Sequence, residues 1–187
     1  MTDDIRELVT RCLANEQMAM RELVEHYSGQ VFGLCFRMLG DRHHAEDVAQ
    51  ESFCRALGSL ANWDADRDFS PWLLAIAGNR CRTWMAARRR HLAPMEWDDR
   101  LVDTRSSPQS DGLSEELELA LARLRPEYRQ AFVLFHEQQF SYQEIAAALD
   151  CPLGTVKTWV HRARRELAQR LIDSGAMEPD AQSLRKV

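Results

Sequence analysis

SYQEIAAALDCPLGTVKTWVHRARREL, residues 141–167, is the stretch that decides the fold. Ser141 followed three residues later by Glu144 fits a capping box, in which each side chain accepts a backbone N–H at the start of a helix. CPLG, residues 151–154, then interrupts the helical pattern, because proline disfavours helix at the preceding residue and glycine admits turn angles. A second helix is predicted to start near Thr155. The stretch therefore predicts two short helices joined by a tight turn, a helix-turn-helix.

The second of these helices is amphipathic. Its apolar stripe consists of Val156, Val160, Ala163 and Leu167. Its other side carries Lys157, Thr158, His161, Arg162 and Arg165. Such a helix can bury one face and offer the other to a DNA major groove. The alternative is a helix pair of an ordinary all-helical protein, in which the basic face is only solvated.

Composition limits the class of protein. The chain has 187 residues, of which 45% are apolar and 28% charged, enough for one or two domains with a real core. No apolar run approaches the roughly 20 residues that span a bilayer, so we expect a cytoplasmic protein without membrane insertion. Five cysteines are scattered without a CxxC pair, which predicts reduced thiols, no zinc site and no disulfide framework. We expect no metal and no cofactor.

The charge distribution is uneven. The net charge is −5, although a protein that grips DNA alone usually has a basic excess. Residues 91–122 hold eight acidic and two basic side chains. A larger partner that supplies most phosphate contacts would explain this balance.

Helical periodicity dominates the chain and strand signals are almost absent, so the predicted fold is all-α. We expect two small helical domains, residues 1–90 and 113–172, the second containing the helix-turn-helix. Residues 91–112 are rich in proline, serine and aspartate without periodicity and predict a flexible acidic linker. Residues 173–187 predict a disordered tail.

Two further regions have a functional and a structural interpretation. Glu46, Asp47, Gln50 and Glu51 share one helix face by their spacing, which suits either solvent or a basic helical partner. FSPWLLAIAGNRCRTWMAARRR, residues 69–90, interleaves aromatic and arginine side chains. Aromatic rings beside cations suit single-stranded DNA, but the same rings could be core residues.

The order of four motifs resembles one family. AEDVAQESFCRAL, FSPWLLAIAGNRCRTW, LRPEYRQAFVLF and the helix-turn-helix follow one another as in the extracytoplasmic-function sigma factors of bacterial RNA polymerase. The resemblance covers residues 15–171, nearly the whole chain. Trp159 stands where the family often has arginine.

The resemblance implies a role for each region. Residues 1–90 would dock on the polymerase and recognise and melt the −10 element, and residues 113–172 would recognise the −35 element. It makes Asp47, Gln50 and Glu51 candidates for contact with the β′ clamp. It makes Phe69, Trp72, Asn79 and Arg80 candidates for the −10 element. It assigns Lys157, Thr158, His161, Arg162 and Arg165 to the −35 element.

The predicted function is therefore promoter recognition for core RNA polymerase, without catalysis by this chain. The resemblance implies the β′ clamp, the β flap, promoter DNA and an anti-sigma factor as partners. The alternative is an autonomous helix-turn-helix regulator, which would leave residues 69–90 unexplained. A small nuclease would need clustered carboxylates or metal ligands, and none are visible in the sequence. In a helical adaptor without a DNA role, any residue type could stand at positions Lys157 and Arg162.

Overall fold

The structure is a computed structural model that describes residues 2–91 and 112–177. These residues form eight α-helices and one short 3-10 helix and contain no β-strand, which confirms the all-α prediction. The elements are α1 (Thr2–Leu13), α2 (Gln17–Leu39), α3 (Arg42–Gly58), the 3-10 helix (Leu60–Asn62), α4 (Phe69–His91), α5 (Gly112–Ala122), α6 (Pro126–His136), α7 (Tyr142–Ala148) and α8 (Leu153–Asp173). The predicted linker, apart from its two end residues, and most of the predicted tail lie outside the described residues.

Helices α2, α3 and α4 pack against one another and form the core of the N-terminal half. Helix α1 lies against α2 and buries Leu8, Val9 and Cys12. The largest fully buried side chains of this half are Leu23, Leu34, Met38, Leu73 and Leu74. Burying one such side chain stabilises the fold by about 1.5–3 kcal/mol, so these helices are held mainly by their shared apolar faces.

Local signals set the boundary between α2 and α3. Gly40 has a left-handed backbone with φ of 70°, and its N–H donates to the Phe36 carbonyl at 2.8 Å. Asp41 caps α3, because its carboxylate accepts the His44 backbone N–H at 2.8 Å. That hydrogen bond lowers the pKa of Asp41. Glycine after the last turn of a helix and aspartate before the first are the residue types that favour these two positions.

Helices α5 to α8 make the C-terminal half. The capping box of α7 is confirmed: the Ser141 N–H donates to Glu144 Oε2 at 2.7 Å, and the Glu144 N–H donates to Ser141 Oγ at 3.2 Å. Helix α8 packs across α5, α6 and α7. A separate apolar cluster joins α5, α6 and α8 and contains Ala120, Leu121, Leu124, Tyr128, Ala163 and Leu167.

The two halves touch, and the larger core cluster contains buried side chains from both. Helices α5 and α6 lie against α2, and α6 and α7 lie against α4. At the edge of this contact, Arg37 of α2 pairs with Glu118 at 3.0 Å and Glu137 at 3.1 Å. These ion pairs are partly exposed, so apolar burial contributes more to the contact than they do.

Arg129 of α6 places a positive charge inside this contact and is only 5% exposed. Its Nη1 donates to the Met38 carbonyl at 2.5 Å and its Nη2 donates to the Ala122 carbonyl. Both acceptors lie in the last turns of helices, where carbonyls lack an intrahelical partner. Burial lowers the pKa of Arg129 to about 10. Arg129 thus ties the ends of α2 and α5 together, and no carboxylate in residues 2–91 or 112–177 pairs with it.

Gly78 of α4 permits a close approach to Gln130 of α6. A Cβ atom at this position would lie 2.1 Å from Nε2 of the fully buried Gln130. The glycine is therefore required by space, not by a special backbone angle. Neither polar atom of the Gln130 amide has a hydrogen-bond partner among the described residues.

No helix among the described residues is long and apolar enough to cross a membrane.

Candidate nucleic-acid interface

Helix α8 presents the candidate −35 residues. Its apolar stripe is buried, with Val156, Val160 and Ala163 at 0% and Leu167 at 4% exposure. Because the helical period is 3.6 residues, residues on the side of α8 opposite this stripe must face outward. All five candidates are exposed: Lys157, Thr158, His161, Arg162 and Arg165. The structure thus brings the complete predicted set together on one solvent-facing side.

The turn before α8 sets the angle of this helix. Asp150 adopts a left-handed backbone with φ of 50°, and the Cys151 N–H donates to the Ala146 carbonyl at 3.0 Å. Pro152 is the N-cap, so α8 begins at Leu153, slightly earlier than expected near Thr155. Aspartate tolerates this conformation better than most residues. The turn residue is therefore Asp150, whereas Gly154 lies inside the first turn of α8.

Arg162 differs from its neighbours on the exposed face. Its Nη1 donates to the Tyr128 hydroxyl of α6 at 2.8 Å, and this hydrogen bond raises the pKa of Arg162. Thr158 Oγ1 donates only to the Gly154 carbonyl of its own helix, at 2.7 Å. Tyr128 was missed as a functional candidate, because nothing local in the sequence links it to a residue so distant along the chain.

The candidate −10 residues lie in a different environment, at the start and middle of α4. Phe69 is 2% exposed, with its ring centroid 5.1 Å from that of Tyr27, 5.3 Å from that of Trp63 and 5.4 Å from that of Trp72. Trp72 is half-buried at the edge of this aromatic cluster. In this structure Phe69 is a core residue, so it could meet a base only if the cluster rearranged.

Asn79 and Arg80 lie about two helical turns beyond Trp72 on α4. Asn79 is exposed, and its Oδ1 accepts a hydrogen bond from Arg82. The Arg80 side chain is 18% exposed and forms an ion pair with Glu51 of α3. Within this set, the polar group available to a ligand without breaking the fold is the Asn79 amide.

The candidate polymerase contacts lie on α3. Asp47 and Gln50 are exposed, whereas Glu51 accepts hydrogen bonds from Arg80 and from Arg55, the latter at 3.4 Å. The hydrogen bond from Arg80 is the main cause that lowers the pKa of Glu51. The structure thus joins a predicted polymerase contact and a predicted DNA contact in one ion pair that braces α3 against α4.

All five cysteines are free, and three of them, Cys12, Cys35 and Cys81, are buried. Burial raises the pKa of Cys12, and a hydrogen bond with Cys35 raises that of Cys81. Across residues 2–91 and 112–177, no group of three or more histidine, cysteine or carboxylate side chains is placed to hold a metal ion.

Two family descriptions match the chain. Sigma-70 region 2 matches residues 23–91, which include α3 and α4. Sigma-70 region 4 matches residues 114–167, which include α6, α7 and most of α8. The candidate −10 and polymerase residues fall within the first match and the candidate −35 residues within the second.

Solved structures show the same fold. The chain is similar to CnrH, solved in complex with the cytosolic domain of CnrY, with a TM-score of 0.64 and 25% identity. That comparison covers 90% of this chain and 97% of CnrH. The sigma factor RpoE, solved with the anti-sigma factor NepR from Bartonella quintana, has a TM-score of 0.64 at 22% identity over 81% of this chain and 95% of RpoE.

Curated relatives match over nearly their whole length. The ECF RNA polymerase sigma factor SigW of Bacillus subtilis is 32% identical over 182 residues, covering 90% of this chain and 97% of SigW. The RNA polymerase sigma-H factor of Pseudomonas aeruginosa is 32% identical over 180 residues, covering 89% of this chain and 93% of the relative. With regions 2 and 4 in this order, the chain belongs to the extracytoplasmic-function sigma factors of the sigma-70 family.

Proposed function

We propose that this chain directs bacterial core RNA polymerase to specific promoters by reading a −35 element with α8 and opening the −10 element with α4. The observation that supports the proposal most directly is the exposed polar face of α8 opposite a fully buried stripe, within the region 4 match. The chain would supply recognition and strand opening, and the polymerase would carry out the chemistry. This role places the chain in the cytoplasm.

The decisive experiment is run-off transcription with purified core polymerase on genomic fragments, followed by mapping of the start sites. We expect new transcripts whose upstream sequences share two elements. An autonomous regulator is the competing function. It would bind its DNA in a gel shift without polymerase, whereas a sigma factor with a net charge of −5 needs the core enzyme to bind tightly.

At the −35 element, Arg162 is proposed to read a base edge and Arg165 to contact a phosphate. Arginine pairs with the O6 and N7 atoms of guanine through two N–H groups, which discriminates against a wrong base by about 1–3 kcal/mol. In a promoter library randomised at this element, Arg162→Ala should lose preference at one position. Arg165→Ala should weaken all promoters alike and flatten the salt dependence. If Arg162→Ala lowered transcription from all promoters equally, with an unchanged base preference, Arg162 would not read a base.

At the −10 element, we propose that the Asn79 amide contacts an unpaired base, with Trp72 beside it. Asn79 is exposed, so Asn79→Ala should leave the fold intact. The variant should bind the closed promoter normally and open it poorly, and a template with a pre-melted bubble should reduce the defect. Normal permanganate reactivity of the variant complex would show that Asn79 has no role in melting.

For polymerase docking, we propose Asp47 and Gln50 as the direct contacts on the β′ clamp. Glu51 is engaged with Arg80, so its replacement would also disturb the packing of α3 on α4. The sharper test is Asp47→Arg combined with Gln50→Arg, measured as affinity for core polymerase. Glu25→Arg, at another exposed position on α2, is the control for a general charge effect. Equal affinities of the two variants would contradict the docking site.

An anti-sigma partner and a contact between region 4 and the β flap complete the proposal. CnrH, which shares the fold over 90% of this chain, was solved bound to the cytosolic domain of CnrY. We propose that a protein of that kind holds this chain inactive. Purification of the tagged chain from its own host, followed by release of transcription activity when the copurified protein is removed, would identify it.

A further inference from the structure

Tyr128 connects the core of the C-terminal half to the exposed face of α8. Its ring is 5% exposed and packs in the cluster that contains Leu121, Leu124 and Ala163. Its hydroxyl accepts a hydrogen bond from Arg162 Nη1 at 2.8 Å, while the Arg162 residue as a whole remains exposed. A rigid, buried side chain therefore holds the end of a flexible, solvent-facing one.

The other polar residues on this face lack such a support. The Thr158 side chain bonds only within its own helix, and no side-chain hydrogen bond or ion pair joins Lys157, His161 or Arg165 to another residue in the described parts of the chain. Arg162 is thus distinguished from its neighbours by a contact that begins in the core.

We infer that Tyr128 is a positioning residue for −35 recognition: it orients the Arg162 guanidinium before DNA arrives. The inference rests on the proposed function, because it requires that Arg162 reads a base edge. Tyr128 itself is buried and does not contact DNA.

The geometry of the guanidinium makes this role possible. Arginine has five N–H donors, and the tyrosine hydroxyl takes only one of them at Nη1. The fork formed by Nε and Nη2 remains free to donate to O6 and N7 of a guanine. A free arginine side chain loses rotational freedom when it binds, whereas a tethered one has already lost part of it. Discrimination at one base pair should therefore improve.

The experiment compares holoenzymes that carry Tyr128→Phe, Arg162→Ala or both, transcribing a promoter library randomised at the −35 element. Tyr128→Phe keeps the ring and removes only the hydroxyl. We expect it to reduce the preference at the same position that Arg162→Ala affects, by roughly threefold to tenfold, as for one hydrogen bond. The double variant should be no worse than Arg162→Ala alone. Tyr142→Phe is the control, because that ring stacks on Phe135 at 4.4 Å instead of supporting α8.

The possible outcomes distinguish the positioning role of Tyr128 from base reading by Arg162. If Arg162→Ala changes the base profile and Tyr128→Phe leaves it unchanged, the positioning role is wrong and base reading by Arg162 stands. If Tyr128→Phe lowers output uniformly and lowers the thermal midpoint, the hydrogen bond only fastens α6 to α8, and the inference is overturned. If Arg162→Ala leaves the base profile unchanged, base reading by Arg162 fails and the inference fails with it.

Discussion

The candidate −35 residues on α8 and the candidate −10 residues on α4 occupy opposite environments. On α8 the whole set is exposed, and its side chains can meet DNA without any change in packing. On α4, Phe69 is enclosed by aromatic rings and Arg80 is paired with Glu51. A substitution on α8 thus probes binding alone, whereas one at Phe69 or Arg80 probes folding and binding together. Asn79 is the exposed member of the α4 set and behaves like the residues of α8. Promoter recognition must therefore be tested by different measurements at the −35 and −10 residues.

The largest effect is expected for Phe69→Ala. Removing a buried phenylalanine usually lowers the free energy of unfolding by about 3–5 kcal/mol, through lost burial and the cavity left behind. Phe69 contacts three other aromatic rings, so this site should reach that range. Chemical denaturation followed by tryptophan fluorescence measures the change. A variant of normal stability that fails only in promoter melting would break the comparison, because Phe69 would then act as a DNA contact.

The next largest effect is expected for Gly78→Ala, at the contact between the halves. The new Cβ would meet the buried Gln130 amide at 2.1 Å, and overpacking of this kind destabilises by about 1–3 kcal/mol. Gly29→Ala on α2 is the matched control: nothing lies within 4 Å of its added Cβ, and glycine to alanine inside a helix stabilises by about 0.5–1 kcal/mol.

A second substitution tests the cause. Gln130→Ala removes the side chain that would collide, so the double variant with Gly78→Ala should be more stable than the sum of the two separate effects predicts. Additive losses in denaturation would mean that the added methyl group disturbs α4 by itself. The contact between the halves would then not be set by Gly78.

These contacts also show what sequence alone can and cannot predict. The caps at Gly40 and Asp41, the capping box of α7 and the exposed face of α8 follow from signals within a few residues of one another. For α8, periodicity alone predicts the exposed face, because a helix that buries one side must expose the opposite side.

The approach of Gly78 to Gln130 depends on how two distant helices pack, and no local pattern encodes it. Arg129 illustrates the same limit: it lies within α6, and an arginine at a helical position is expected on the surface, yet this one is buried. The aromatic stretch at the start of α4 left two interpretations open, because spacing does not decide which ring faces the core. Phe69 faces the core, and Trp72 lies at its edge.

A smaller effect should separate two basic candidates, one from each set. Arg80 has 18% of its side chain exposed and is paired with Glu51, so Arg80→Ala should lower the free energy of unfolding by about 1–2 kcal/mol through lost packing and the broken pair. Lys157 is exposed, and Lys157→Ala should change the free energy of unfolding by less than about 0.5 kcal/mol. If the two variants lost equal thermal stability, Arg80 would be no more involved in packing than Lys157. The contrast between α4 and α8 would then be wrong.

The smallest effect concerns a titratable contact on the inner edge of α8. Arg164 Nε donates to His136 Nε2 at 2.8 Å, which requires a neutral imidazole. Burial, and next the charge of Arg164, lower the pKa of His136 below its ordinary value of about 6.5. The unfolded chain therefore takes up a proton more readily than the folded chain. Stability from this site is complete above about pH 6.5 and is lost as the pH falls below it, until the folded imidazole is also protonated.

His136→Gln tests this prediction, because glutamine can accept the same hydrogen bond through Oε1 but does not titrate. Other groups titrate equally in both proteins, so the informative quantity is the difference in free energy of unfolding between them. The advantage of the native chain over His136→Gln should shrink when urea denaturation is repeated from pH 7.5 down to pH 5.5. An advantage that stays constant would show that folding does not lower the pKa of His136, and one that grows would show that folding raises it. The hydrogen bond between Arg164 and a neutral His136 would then not account for the packing of the inner edge of α8 on α6.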